Sequence, residues 1–264
     1  MVEELKPHQF NKSLDRGLLV LDLFTRDVAS LSAKEIADRL GVGATTLYPF
    51  LHTLTSHGYL EVNGQKRYRL GLKLLERVGE LNQVYDVRSV ARPELTKLSR
   101  LISANARLAV LYGNEVLYLE QEEGGPTANI ILREVVGLRV PSYCTALGKV
   151  LLAYLSDQDL NPIMDSLVFV PLTDNTITHP DRLREELDLV RERGYSTEIE
   201  ELQLGGACIG APIRNSTGRV IAAISASVLA SRAHGEELGR IVEAIQAAAA
   251  DISAQLGFNG HDLL

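Results

Sequence analysis

At 264 residues the chain is longer than one ordinary compact domain, which favours two folded units. An apolar share of 45% with few aromatics and no Trp excludes a disordered chain and gives no hint of a carbohydrate-stacking surface. The net charge of −7 looks wrong for a nucleic-acid binder until it is divided: residues 1–80 carry +1 and the remainder −8, and local patches set the field that a phosphate backbone meets.

No apolar run reaches the ~18 residues that a membrane span needs, and the N-terminus lacks a signal-peptide core, so a cytoplasmic protein without membrane contact is expected. Cys144 and Cys208 fall outside any CxxC spacing, and the six histidines form no HxH or HExxH pattern. Neither a disulfide framework, a metal nor a cofactor is therefore expected.

In chain order, Leu14, Leu18, Leu21 and Phe24 share one helical face, which predicts a first helix from Ser13 to about Thr25. Ser32 and Glu35 have capping-box spacing before Ile36, Ala37 and Leu40, predicting a second short helix that stops at Gly41. Leu47, Leu51 and Leu54 mark a third, ending near His57 and Gly58. Strands 59–62 and 66–70 follow, turned by Asn63-Gly64, a pair that tolerates positive φ. This order is that of a winged helix-turn-helix. The third helix would present Thr45, Thr46, Tyr48 and His52 to a major groove, while Lys66, Arg67 and Arg69 put charge on the hairpin beside the phosphates.

Leu74, Val78, Leu81 and Tyr85 then form the apolar stripe of a linker helix, 72–86, which needs a partner and so predicts a dimer. Residues 87–264 read as one larger domain. Helices are expected at 87–102, 145–155, 157–167, 180–193 and 235–256, and strands at 106–112, 115–121, 129–136, 196–202, 207–215 and 219–228. The fold class is α+β with a mostly antiparallel sheet. Alternation puts Ser225 and Ser227 on one strand face with Ile221 and Ala223, opposite Val220, Ala222, Ile224 and Ala226, and groups Cys208 with Gly210. A helix starting near Thr145 offers amides at Thr145, Ala146 and Leu147 to a carboxylate.

SLDRGLLVLDLF, LSAKEIADRLGVGATTLYPFLHTLTSHGYLE and RYRLGLKLLERVG resemble, in order and spacing, the N-terminal domain of IclR-type regulators. GLRVPSYCTALGKVLLA and RGYSTEIEELQLGGACIGAPIRNSTGRVIAAISAS continue the resemblance over residues 13–256. It implies a winged helix-turn-helix (1–71), a dimerising linker (72–86) and a GAF-like effector domain (87–264). It also implies operator DNA as partner, a homodimer or tetramer, and control by a small organic effector. The effector pocket it implies comprises Ala146, Leu147, Glu198, Cys208, Ser225 and Ser227, to which the helix-start reading adds Thr145. Because Glu198 would repel a dianion, a hydroxy acid, keto acid or small polar compound is expected rather than a phosphate ester.

One position departs from the pattern: Pro49 stands where the family usually has Arg. The helix then either starts late, with Thr46 as N-cap, or is kinked. Two rival functions remain, a thiol enzyme built on Cys208 and an interaction scaffold; the first lacks a resolving cysteine or a Cys-His pair.

Overall fold

The computed structural model describes residues 11–25, 28–77, 87–124 and 136–259. The chain divides into two compact units, Met1–Val84 and Tyr85–Leu264.

The first unit contains α1 (Lys12–Asp22), β1 (Leu31–Ser32), α2 (Ala33–Leu40), α3 (Ala44–Ser56), β2 (Leu60–Val62) and β3 (Arg67–Leu70), and residues 73–77 are helical (α4). Ser32 and Glu35 form the expected capping box at the start of α2, and Gly41 ends that helix at φ 63°. The core is Val20, Phe24, Leu31, Ile36, Leu47, Leu51 and Leu60.

Two expectations fail here. In α1 the buried residue is Val20, with Phe24 buried just beyond the helix, whereas Leu14 and Leu18 are exposed. The helix starts one residue early, capped by the Asn11 side chain, and meets the core only with its last turn and the residues after it. In the hairpin, the positive φ falls on Lys66 (57°) and not on Asn63 or Gly64. Asn63 Oδ1 accepts from the amides of Gln65 and Arg67, and the Asn63 carbonyl accepts from Lys66, so the loop is a turn closed by a left-handed residue. The two-residue β1 was not expected; it pairs with β3, Ser32 opposite Arg67.

The second unit opens with α5 (Val87–Ile102) and continues with β4 (Asn105–Tyr112), β5 (Glu115–Glu122) and β6 (Arg139–Pro141). Three helices follow, α6 (Ala146–Ala153), α7 (Asp157–Ser166) and α8 (Pro180–Arg193), then β7 (Ser196–Ile199), β8 (Gly206–Arg214), β9 (Val220–Leu229) and α9 (Gly235–Gln255). The sheet runs β6-β5-β4-β9-β8-β7, and each neighbouring pair is antiparallel. Its two faces bury two cores. On one, Ala207, Ile209, Ala211, Ala222, Ile224 and Ala226 pack with α5 and α9; on the other, Ala109, Tyr118 and Ala223 pack with α6 and α8.

Alternation along β9 holds from Ala222 onward but fails at its start. Ile221 packs with the first core and Val220 with the second, the reverse of expectation, because the β8–β9 register shifts between Ile213 and Arg214. Strand β7 stops at Ile199 instead of running to Leu202, since Glu200 takes φ 57° and turns the chain. The strand β6 went unread, and the expected strand 129–136 lies outside the described residues except for Val136, which sits in a turn. Of the linker stripe, Val78, Leu81 and Tyr85 also lie outside them.

Candidate functional site

Two surfaces draw together the residues singled out in the sequence, one in each unit. In the first, α3 buries Leu47 and Leu51 and turns Thr45, Thr46, Tyr48 and His52 outward, all exposed. The helix starts at Ala44, with Gly43 as N-cap, and Pro49 lies inside it, so Thr46 does not cap a late start. Pro49 has no amide for the Thr45 carbonyl; a mid-helix proline costs roughly 3 kcal/mol. One turn on, the Thr53 hydroxyl donates back to the Pro49 carbonyl at 2.8 Å, a bond that tends to bend a helix. No residue of α3 is Lys, Arg, Asp or Glu.

The hairpin cations point in different directions. Arg67 reaches inward: Nη2 donates to the Ser30 carbonyl at 2.9 Å and pairs with Glu35 at 3.1 Å, and Nε donates to the Ser30 hydroxyl at 3.1 Å. The Ser32 amide and hydroxyl, and then Arg67, pull the Glu35 carboxyl down to about 2. Arg69 pairs with Glu61 on the neighbouring strand at 2.8 Å. Lys66, at the tip, is exposed and makes no ion pair among the described residues.

In the second unit the register lines residues up in two cross-strand rows on the α6 face. Glu198, Cys208, Ser227 and Asn105 are successive partners across β7, β8, β9 and β4; Ser196, Gly210, Ser225, Arg107 and Gln121 form the adjacent row. Gly210 lets the start of α6 settle on these rows: a Cβ there would lie 3.0 Å from the Ala146 carbonyl, which accepts from Ser196 Oγ at 2.7 Å. Thr145 is the N-cap, its hydroxyl accepting from the Gly148 amide at 3.1 Å, which leaves the amides of Ala146 and Leu147 without an acceptor among the described residues.

Between the helix start, the rows and the loop after β7 lies a small cavity with about 20 Å³ of free space, room for about one water molecule. Thr145, Ala146, Leu147, Glu198, Cys208 and Ser225 line it together with Arg107, Tyr118, Leu202, Gln203 and Gly206. Ser227 is not in the lining; its hydroxyl holds Cys208 Sγ at 3.2 Å and accepts from Arg107 Nη1 at 2.6 Å.

Arg107 was missed in the sequence. It is 1% exposed, donates from Nε to Gln121 at 2.9 Å and lies 5.8 Å from the Tyr118 ring centre. Its flanking residues were the available signal. Ala104, Ala106, Leu108 and Ala109 are apolar at both parities, the mark of a strand buried on both faces, where a charge has to be inside.

Glu198 is 3% exposed. Burial raises its carboxyl above the ordinary value, against the pull of the Leu202 and Glu201 amides that it accepts at 3.1 and 2.7 Å. Burial also pushes the Cys208 thiol up to about 12, with the Glu198 charge adding to it. Lys149, one turn into α6, is 1% exposed and meets Glu201 at 2.5 Å, clasping the helix to the loop that carries Leu202 and Gln203. Burial raises Glu201 too, opposed by Lys149, and its Oε2 has no hydrogen bond among the described residues.

Known proteins match this chain over nearly its whole length. The bacterial transcriptional regulator IclR C-terminal family matches residues 80–254, and the IclR helix-turn-helix domain matches residues 13–64. The HTH-type transcriptional regulator XynR of Escherichia coli K12 is 36% identical over 248 residues, spanning 94% of this chain and 98% of its own. The HTH-type transcriptional regulator KdgR of the same organism is 33% identical over 228 residues, 86% of each chain. Among solved structures, an IclR homologue from Microbacterium hydrocarbonoxydans complexed with 4-hydroxybenzoate has a TM-score of 0.83 at 28% identity, covering 92% of this chain and 98% of that one. The chain therefore belongs to the IclR family of bacterial transcriptional regulators.

Proposed function

We propose that the chain is a repressor that binds operator DNA through Thr45, Thr46, Tyr48 and His52 of α3 and through the wing, and that a small organic acid in the cavity weakens that binding. The observation that carries the sensing half is the convergence on one cavity of the α6 start at Ala146 and Leu147, Ser225, Arg107 and Glu198. Amides and a guanidinium suit one carboxylate. Glu198 and Ser225 suit hydroxyl groups, and a second negative charge would sit against Glu198; a hydroxy or keto monoacid fits this set. The 4-hydroxybenzoate held by a relative, a hydroxylated monocarboxylate, supports that class.

Of the hairpin cations, Lys66 is the one positioned for phosphate, while Arg67 and Arg69 are engaged within the unit. The reading places the protein in the cytoplasm, without cofactor or catalysis, as a homodimer or tetramer on inverted half-sites. No helix of the described residues is long and apolar enough to cross a membrane. Thiol catalysis is disfavoured because a thiol held near 12 supplies almost no thiolate at neutral pH.

The test is calorimetry of the full chain with 4-hydroxybenzoate, pyruvate and glycolate, followed by the same titrations on Ser225→Ala. The acid that binds should lose at least about tenfold in affinity. It should also lower operator affinity by the factor by which bound operator lowers its own. An acid whose binding ignores both Ser225→Ala and the operator overturns the assignment of the cavity.

A further inference from the structure

The exposed face of α3 has an unusual centre. Pro49 is exposed there, with Thr45 and Thr46 one turn before it and His52 and Thr53 one turn after, all exposed. Residues three and four apart share a helix face, so Pro49 is surrounded by the groups assigned to the groove. Two chemical properties meet at this point. The pyrrolidine ring is an apolar surface, and the missing amide leaves the Thr45 carbonyl without its helical donor, so an acceptor lies beside that ring.

In the major groove, thymine is the base that offers a methyl group, and its partner adenine offers an amino donor across the same pair. A G·C pair offers an amino donor but no methyl. The hydroxyls of Thr45 and Thr46 bond to either kind of edge, and α3 carries no arginine to select guanine. We propose that Pro49 and the Thr45 carbonyl together read one A·T pair in each half-site, the ring packing on the thymine methyl and the carbonyl accepting from the adenine amino group. The proposal rests on α3 being the DNA-reading helix and makes an exposed apolar residue of it a determinant of sequence preference.

The experiment is selection of binding sites from random duplexes by the full chain and by Pro49→Ala, a replacement that restores the amide at 49 and favours the helix. The wild type should select inverted half-sites that share an A·T pair, and Pro49→Ala should bind the same sites but relax that pair by at least about fivefold. Two base analogues then separate the contacts. Uracil in place of the thymine removes only the methyl and should cost the wild type about fourfold and Pro49→Ala almost nothing. Purine in place of the adenine removes only the amino group and should again weaken the wild type more than the variant. An unchanged preference in Pro49→Ala, or a wild type indifferent to uracil, overturns the proposal with DNA reading by α3 intact. Failure of the wild type to enrich any sequence overturns the DNA-reading assignment itself, and this inference with it.

Discussion

The two units place their charges in opposite ways. In the winged unit α3 is uncharged, and two of the three hairpin cations are drawn into internal contacts, Arg67 to Ser30 and Glu35 and Arg69 to Glu61. In the larger unit Arg107, Glu198, Lys149 and Glu201 are all nearly inaccessible, gathered in or beside the cavity. Exposed surface is where a charge is cheap, and buried surface is where it is decisive, because its interactions are not screened. A duplex can be read by hydroxyls, apolar groups and few cations, since the contacts are many; a small acid makes few contacts, so each has to be strong.

The sharpest break in this comparison is Lys149→Met. It leaves Glu201 buried without its cation and should destabilise the larger unit by roughly 3–5 kcal/mol in urea unfolding at neutral pH. The double replacement Lys149→Met with Glu201→Leu should recover most of that loss, since the carboxylate then goes with its partner. Equal destabilisation in both would mean that packing, and not charge, holds the clasp.

Arg67→Ala comes next. Losing its bonds to Ser30 and Glu35 should cost the winged unit about 1–2 kcal/mol, with Arg69→Ala costing less than about 1 because that pair is largely in solvent. Thermal melts that rank the two the other way would undo the distinction between inward and outward cations.

The units should also answer pH with opposite sign. Glu198 and Glu201 have raised carboxyls, so their contribution is full below the unfolded value of 4.5 and is lost as pH rises through the folded one. Glu35 is lowered to about 2, so its contribution holds above 4.5 and is lost as pH falls toward 2. Glu198→Gln should therefore flatten the decline in the stability of the larger unit above pH 4.5 and leave the acid limb of the winged unit unchanged. A decline equally steep in the variant would assign the slope to other groups.

The smallest effect is expected at the wing tip, where Lys66 holds φ 57°. Lys66→Gly should stabilise the hairpin by up to about 1 kcal/mol while lowering the salt slope of operator binding by about one phosphate contact. A gain in stability with an unchanged slope would remove Lys66 from the DNA surface.

Local rules made much of this legible. The Ser32–Glu35 box, the Gly41 stop and the bounds of α5 and α8 follow from capping, a left-handed glycine and periodicity, each a property of a few adjacent residues. Six of the seven residues expected in the pocket line the cavity. What was not legible depended on distant partners. Leu14 and Leu18 fit a helical stripe, yet the core lies against the far end of α1. Lys66 took the left-handed position because the Asn63 side chain fixed where the turn closes. Ser227 shares a strand face with Ser225 but is occupied by Arg107, a residue whose burial follows from the strands on either side of β4.

The thiols near the cavity carry one more consequence. Cys144 and Cys208 are both held near 12, chiefly by burial, so at neutral pH the reactive form is on the order of one molecule in 10⁵. Peroxide and electrophiles attack the thiolate, and here they find almost none. Burial thus holds both thiols in the protonated form that oxidants attack slowly.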